Sequence, residues 1–318
     1  MALCCRAVRI MDLDGLRAAL GKEALVGELL SKHTTFGIGG PADLFVVART
    51  LEELRSVVRL AWQHGVPYFL LGSGANVLVA DGGIRGLVIK NLCQATEISP
   101  LEASGDWLVQ AESGAEIKAV AAATIERGLA GLEWAVDVPG TVGGAVVGNA
   151  GAFGGYVADN LQEVLVLSQQ EGETWWARER LGLAYRSSAL KQASKGAGFS
   201  PVILAATFRL RHEGLELVRQ RASEYSRQRA ERQPSGRSAG SIFKRTEQYP
   251  AGFLIENAGL KGKRIGGAIV SPKHANFILN EGGASAQNVK ELIDLVRQKV
   301  QQDFGILLEP EIEFVGDW

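Results

Sequence analysis

The sequence lacks the residues that would build a disulfide framework or a metal centre. It has 3 cysteines (Cys4, Cys5 and Cys93) in 318 residues, without CxxC spacing, and its 4 histidines are scattered. Neither pattern matches a zinc site or a set of paired half-cystines. We therefore expect free thiols in a reducing compartment and no metal.

Long apolar runs and an excess of one charge are also missing. No stretch approaches the ~20 apolar residues that a spanning helix needs. The first 15 residues begin apolar, but Arg6, Arg9 and Asp12 interrupt them, which is atypical of a signal peptide. The count of 34 Lys and Arg against 35 Asp and Glu gives a net charge of −1. This balance argues against non-specific binding to nucleic acid or to a membrane surface, so we expect a cytoplasmic protein.

Glycine, in contrast, is abundant. The chain has 39 glycines, about 12% where ~7% is usual. They cluster at 37–40, 72–86, 139–155, 236–240 and 259–267. Glycine allows backbone at positive φ and the close approach of another molecule to the main chain. Several such clusters predict a large ligand bound along backbone.

The periodicity of apolar residues predicts a β-α-β unit near the start of the chain. Its helix covers 50–65, with Thr50 and Glu53 as a capping box. Composition changes near residue 212, which predicts a domain boundary there. The other predicted elements are strands at 44–48, 67–71, 87–90, 107–112, 164–168, 202–210, 265–270 and 276–279, helices at 117–127 and 213–232, a helix after Ser285, a loop at 131–155 and a terminal strand containing Pro310.

The loop at 72–77, Gly-Ser-Gly-Ala-Asn-Val, does not have the context of a dinucleotide-binding Rossmann motif. It has only the first two glycines of GxGxxG, and a β-like segment follows it instead of a helix. The chain also has no GK[ST] of a P-loop. Successive N–H groups in such a turn can still bind phosphate, with Ser73 and Asn76 as further donors. A tight turn without a ligand is the alternative interpretation.

Two segments together show a family resemblance. GSGANVLV at 72–79 and VPGTVGGAVVGNAGAFGG at 138–155 resemble the FAD-binding domain of the vanillyl-alcohol-oxidase/PCMH superfamily. From residue 31 onward the chain resembles, more narrowly, the UDP-N-acetylenolpyruvoylglucosamine reductase family. The blocks that match are HTTFGIGGPADLF, AYRSSALK, SAGSIFK, AGFLIENAGLKGKRIGGAIVSPKHANFILN and LEPEIEFVG.

The resemblance implies an α+β fold in three parts. A PCMH-type FAD-binding fold of two subdomains would cover 1–93 and 94–212. A smaller α+β substrate-binding domain would cover 213–318 and bind a UDP-sugar. The family has a shorter and a longer type, and the chain lacks the insertion of the longer one. We expect the shorter type, as a monomer.

The resemblance also implies a non-covalent FAD and NADPH as the reductant. Oxidases of the superfamily often attach flavin through histidine or cysteine in the first glycine-rich loop, and residues 72–86 contain neither. An FAD-dependent sugar or alcohol oxidase remains the alternative function. The residues expected at the flavin are Gly72, Ser73, Gly74, Asn76, Val77, Gly143, Gly144, Asn149 and Gly151.

The family reduces the enolpyruvyl group of UDP-N-acetylenolpyruvoylglucosamine to the lactyl ether of UDP-N-acetylmuramate, a step in peptidoglycan precursor synthesis. Hydride reaches C3, charge develops on C2 and its carboxylate, and C2 receives a proton. Arg186 matches the family's catalytic arginine, which would hold the carboxylate. Ser241 matches the proton donor, with Ser238 as the competing serine. Glu311 matches the catalytic glutamate; Glu309 is the alternative, because residues i and i+2 of a strand share a face.

The diphosphate of a UDP-sugar requires cations from the C-terminal part of the chain. The candidates are Arg229, Arg232, Lys244, Lys261 and Arg264. The chain departs from the family pattern at three positions. Arg245 and Thr246 replace an Asn-Pro pair that commonly follows the lysine, and Glu313 stands where arginine is frequent.

Overall fold

A computed structural model describes residues 11–102, 104–193 and 199–318. Cys4 and Cys5 lie outside these residues. The α-helices of the described chain are α1 Leu13–Leu20, α2 Leu51–Gln63, α3 Ile117–Ile125, α4 Val142–Val147, α5 Val157–Asn160, α6 Ala189–Ala193, α7 Leu215–Arg232, α8 Ala251–Asn257 and α9 Ala286–Phe304.

The strands of the described chain vary from two to eleven residues. They are β1 Leu25–Val26, β2 Ala42–Ala48, β3 Tyr68–Leu71, β4 Val77–Val79, β5 Ile84–Asn91, β6 Thr96–Leu101, β7 Asp106–Glu112, β8 Leu129–Ala130, β9 Gly151–Ala152, β10 Gly155–Tyr156, β11 Leu161–Ser168, β12 Gly172–Ala177, β13 Val202–His212, β14 Arg264–Ile265, β15 Ala268–Val270, β16 Ile278–Asn280 and β17 Glu313–Val315.

The first part of the fold is a four-stranded sheet in the order β1-β2-β5-β3, in which β5 runs parallel to both β2 and β3. This confirms the predicted β-α-β unit. Thr50 caps α2 through the Glu53 N–H, whereas the Glu53 carboxylate accepts from the Arg49 N–H. Cys93 is a buried free thiol, and burial raises its pKa to about 12.

The second part is an antiparallel sheet in the order β12-β11-β13-β7-β6, with β8 beside β13. Helices α3 and α4 cover one face and bury a large apolar core. Helix α7 adds Val218 and Ala222 to this core. The most charged helix of the described chain is therefore anchored on the second subdomain.

The segment 131–155 is not the loop that the sequence predicts. It contains helix α4 and the small hairpin of β9 and β10. Thr141 caps α4 by accepting from the Gly144 N–H. A Cβ atom on Gly143 would lie 2.9 Å from Ser113 Cβ. The small residues thus let a short helix pack directly on the sheet, although glycine has a low helix propensity.

The last part combines helices α8 and α9 with the β14-β15-β16 sheet. Its final strand, β17, leaves this unit and pairs in parallel with β4 of the first part. Pro310 lies outside β17, in an isolated bridge to Phe243, which corrects the predicted strand. The Asp81 carboxylate accepts hydrogen bonds from the N–H groups of Ala286 and Gln287 at the start of α9. Strand pairing and the contact of Asp81 with α9 therefore both hold the first and last parts of the chain together.

Within the described residues, every helix is too short or too polar to cross a membrane. The buried apolar residues there form four clusters. One lies within the second part, and another joins Phe36, Ile38 and Leu78 of the first part to the last part. The limits 1–93, 94–212 and 213–318 stay a prediction.

Candidate active site

Arg186 lies at the tip of a tight turn in the second subdomain. Ala184 and Ser187 exchange both backbone hydrogen bonds, at 3.1 Å each. Arg186 has φ 54°, a left-handed conformation that non-glycine residues seldom adopt and that is often found at functional sites. The Asn149 amide donates to the Ala184 carbonyl oxygen at 3.0 Å. The turn is therefore fixed from the second glycine-rich segment.

The carboxylate of Glu311 meets the guanidinium of Arg186. The distance from Arg186 Nε to Glu311 Oε1 is 2.5 Å, and the Glu311 side chain is only 13% exposed. Glu309, by contrast, is 71% exposed and pairs with Lys244. The two acids do not share a face, because the segment around Pro310 is not a regular strand. The geometry places Glu311, not Glu309, beside Arg186.

Burial raises the pKa of Glu311 above its ordinary value of 4.5. The cations Arg186, Lys191 and Lys244 oppose this shift without cancelling it. Desolvation therefore outweighs attraction at this carboxyl group. A carboxyl group whose pKa is raised in this way holds a proton more readily than an exposed one does.

Ser241 lies on a segment held between two others. Its backbone forms an isolated bridge with Phe277. The next residue, Ile242, accepts a hydrogen bond from the Glu311 N–H at 2.7 Å. Ser241 is therefore one residue from the backbone of Glu311, so the structure brings Ser241, Glu311 and Arg186 to one place. Ser238 lies earlier on this segment, and its carbonyl oxygen accepts from Thr35 Oγ1.

The five predicted substrate cations have different environments. Arg264 is exposed and pairs with Glu281. Lys244 pairs with Glu309 at 2.5 Å, and Lys261 with Glu256 at 2.6 Å. Arg232 is exposed at the end of α7.

Arg229 lies over the ring of Phe153 at 5.5 Å and donates to Gln233. Its Nε is buried without an acceptor among the described residues, and burial lowers the pKa of the group. Of these five cations, Lys244, which also pairs with Glu309, is the one whose charge acts on Glu311.

The first glycine-rich loop connects β3 to β4. The backbone N–H groups of Ser73, Gly74, Ala75 and Asn76 have no protein acceptor within the described part of the chain. Four consecutive free N–H groups match the concave donor arrangement that binds phosphate. This donor set fits the diphosphate of FAD. Binding of FAD by this loop stays a prediction.

Packing inside the protein accounts for the residue types at several positions that are predicted to contact the flavin. A Cβ on Gly72 would lie 2.5 Å from Thr141 Oγ1, and one on Gly74 2.6 Å from the His33 carbonyl oxygen. A Cβ on Gly151 would lie 2.3 Å from the ring of Tyr156. The Gly143 N–H donates to the Ser113 carbonyl oxygen, and Asn149 bonds the backbone of Ala184 and Ala158. These residues shape the two segments, and their contact with flavin stays a prediction.

A cavity of about 440 Å³ lies where the two glycine-rich segments meet. Gly72 and Ser73 line it from the first segment, and Thr141 from the second. A larger cleft of about 950 Å³ lies on the second subdomain and is lined by none of the predicted site residues. Of the four residues with free N–H groups, Ser73 lines the smaller cavity, and flavin binding there stays a prediction.

Sequence reasoning missed three residues near these sites. Lys90 lines the smaller cavity and donates to the Gly72 carbonyl oxygen at 2.6 Å. The Tyr185 hydroxyl accepts from the Arg245 N–H. Lys191 pairs with Glu313 at 3.1 Å. Tyr185 and Lys191 lie in the block AYRSSALK. Their closeness to Arg186 in the sequence was the signal that could have identified them.

Comparison with known proteins agrees with this geometry. Residues 42–178 match the model of an FAD-binding domain. Residues 232–315 match the C-terminal domain of UDP-N-acetylenolpyruvoylglucosamine reductase. The fold and site therefore define a flavoprotein oxidoreductase, an FAD-dependent enzyme.

Full-length relatives make the assignment narrower. Reductases of this name from Clostridium botulinum and Lachnoclostridium phytofermentans are 39% and 41% identical, over 92% and 91% of this chain and 92% of each relative. The crystal structure of the Thermus caldophilus enzyme has a TM-score of 0.76 and 33% identity, covering 92% of this chain and 99% of that one. The chain belongs to the UDP-N-acetylenolpyruvoylglucosamine reductase family.

Proposed function

We propose that this protein reduces the enolpyruvyl group of UDP-N-acetylenolpyruvoylglucosamine to the lactyl ether of UDP-N-acetylmuramate, with NADPH as the reductant. This reaction would be a step of peptidoglycan precursor synthesis in the cytoplasm. The observation that supports the proposal best is the Arg186–Glu311 pair at 2.5 Å. It joins the second subdomain to the C-terminal segment beside Ser241, as the chemistry requires.

Arg186 binds and orients the substrate carboxylate. A guanidinium group keeps its charge across the working pH range and can hold a carboxylate at two points. Charge that develops on C2 and this carboxylate is stabilised by a cation already in place, which avoids the cost of reorganising solvent. The turn from Ala184 to Ser187 fixes the backbone of Arg186.

Ser241 delivers the proton to C2. A hydroxyl group is a weak acid, so it needs a neighbouring cation or a proton relay to donate effectively. Lys244 is three residues along the same segment. Glu311 assists, because its raised pKa lets it hold a proton at the site. FAD, when bound, supplies the hydride carrier between NADPH and C3.

The diphosphate of the flavin would be held by the N–H groups of residues 73–76. The same segment contacts the catalytic residues directly. Asn76 Nδ2 donates to the Glu311 carbonyl oxygen, and the Glu313 N–H donates to the Asn76 carbonyl oxygen. Binding the cofactor and positioning Glu311 therefore depend on one loop.

The proposal is tested by anaerobic spectroscopy of the purified protein. NADPH should bleach the flavin absorption, and UDP-N-acetylenolpyruvoylglucosamine should restore it without oxygen. If bound flavin bleaches but only oxygen restores it, the sugar or alcohol oxidase function is correct instead. Failure to bind flavin after reconstitution would contradict the assignment of both glycine-rich segments.

A further inference from the structure

A second ion pair adjoins the Arg186–Glu311 pair. Lys191 lies on α6, five residues after Arg186, and its side chain is only 12% exposed. Its Nζ is 3.1 Å from Oε1 of Glu313. Glu313 opens β17, two residues after Glu311. A nearly buried ammonium group is thus paired with a carboxylate that lies two residues from the active-site acid.

The local structure fixes both partners. The Ser188 hydroxyl accepts from the Lys191 N–H and donates to the Val147 carbonyl oxygen, which ties α6 to α4. The Glu313 N–H donates to the Asn76 carbonyl oxygen in the first glycine-rich loop. The Lys191–Glu313 contact therefore results from two separately anchored backbones.

Lys191 acts electrostatically on Glu311. Its charge favours the ionised carboxylate and works against the burial that favours the neutral acid. The charged groups at Glu311 come from every adjoining segment: Arg186 from the turn, Lys191 from α6, Lys244 with its partner Glu309, and Glu313 from β17.

We propose that Lys191 and Glu313 form an auxiliary pair that sets the proton affinity of Glu311: Lys191 promotes ionisation, and Glu313 limits this effect by sharing the ammonium group. Both are positioning residues, because they act through Glu311. The inference deepens the proposed function and rests on the role given there to Glu311.

The two partners of the pair should have opposite effects. Lys191→Gln removes a cation, so the pKa of Glu311 should rise by about one unit, the scale of a nearby unit charge. Glu313→Gln removes the carboxylate that shares the ammonium group of Lys191, so the cation acts more strongly on Glu311. The pKa of Glu311 should then fall. A purely structural role predicts the same sign for both variants, because both break one ion pair.

The experiment is a carboxyl-carbon NMR titration of protein labelled with 13C glutamate, in which Glu311→Gln assigns the Glu311 signal. The Lys191→Gln/Glu313→Gln double variant should lie between the singles. Glu313→Asp should restore the wild-type titration because it keeps the charge. Lys299→Gln and Asp303→Asn, which break an ion pair within α9, serve as matched controls and should leave the signal unchanged.

Opposite shifts in the two single variants support the proposal, and the Glu311-dependent limb of the pH–rate profile should move with them. Shifts of the same sign, or none, overturn it. Glu313 is 40% exposed, so Glu313→Gln alone provides a decisive direction if Lys191→Gln does not fold. Full turnover in Glu311→Gln would contradict the proposed role of Glu311, whereas the titration would still test the pair.

Discussion

Arg186 and Glu311 approach to 2.5 Å although they belong to different parts of the fold. Arg186 is held in a strained turn with φ 54°, and Glu311 is held by a backbone hydrogen bond to Ile242. Burial still favours the neutral form of Glu311. The pair therefore holds a carboxyl group of raised pKa against a guanidinium group. A substrate carboxylate can replace Glu311 at this cation.

Glu311→Gln should change how stability depends on pH. Because the folded-state pKa lies above 4.5, the stabilisation from protonated Glu311 is complete below that value. It is lost as pH rises through the folded-state pKa, and it amounts to about 1.4 kcal/mol for each pH unit that separates the folded-state and unfolded-state pKa. Thermal unfolding of wild type and Glu311→Gln from pH 4 to 8 should show a difference that falls with pH. A constant difference would contradict the raised pKa; Glu309→Gln, at an exposed position, is the control.

Ser241→Ala should slow the transfer of a proton to substrate by about 10²–10⁴-fold, the usual contribution of a positioned proton donor. Bleaching of the flavin by NADPH should keep its wild-type rate, because that step needs no proton from Ser241. Stopped-flow absorption measures the two half-reactions separately. Ser238→Ala is the matched control, since its hydroxyl makes a weak 3.5 Å contact with the Gly240 N–H. An equal loss of rate in both variants would contradict the assignment of Ser241 as the proton donor.

Gly72→Ala should reduce flavin content and stability together. The new Cβ would lie 2.5 Å from Thr141 Oγ1, so the two glycine-rich segments would have to separate. Overpacking of this kind costs about 1–3 kcal/mol. Flavin content is read from the absorption ratio and stability from denaturant unfolding. Gly148→Ala, whose Cβ would be 3.4 Å from the Gly144 carbonyl oxygen, should behave as wild type; equal damage there would show a general intolerance instead.

Asp81→Ala should weaken the contact between the first part of the chain and α9. Its carboxylate accepts from Ala286 at 2.8 Å and Gln287 at 3.0 Å. Hydrogen bonds to a charged group contribute about 1.5–3 kcal/mol. Urea unfolding of the variant should show a loss of stability on this scale. Ser285→Ala, which removes the other cap of α9, gives the comparison; a negligible effect of Asp81→Ala would mean that water replaces the carboxylate.

Local signals in the sequence predicted most regular elements, whereas Arg186, Ser241 and Glu311 came from the family resemblance and their roles stay a prediction. Capping and apolar periodicity act over a few residues, so the sequence alone indicated the Thr50 cap and apolar face of α2 and the Ser285 cap of α9. Helix α4 was missed because its glycines mask the Thr141 cap. Glu309 and Glu311 could not be separated, since the strand rule assumes regular backbone and Pro310 interrupts it. The Lys191–Glu313 pair joins distant segments, and no spacing rule reports such contacts.

The parallel pairing of β17 with β4 has a consequence for the order of folding. Asn76 in the first glycine-rich loop and Glu311 are bonded although 235 positions separate them. Closing so long a loop is entropically costly and slow, so contacts of this range tend to form late. The first glycine-rich loop therefore lacks its hydrogen bonds to the C-terminal segment until that segment docks. Flavin added during refolding should be captured only in the last kinetic phase, together with the pairing of β17.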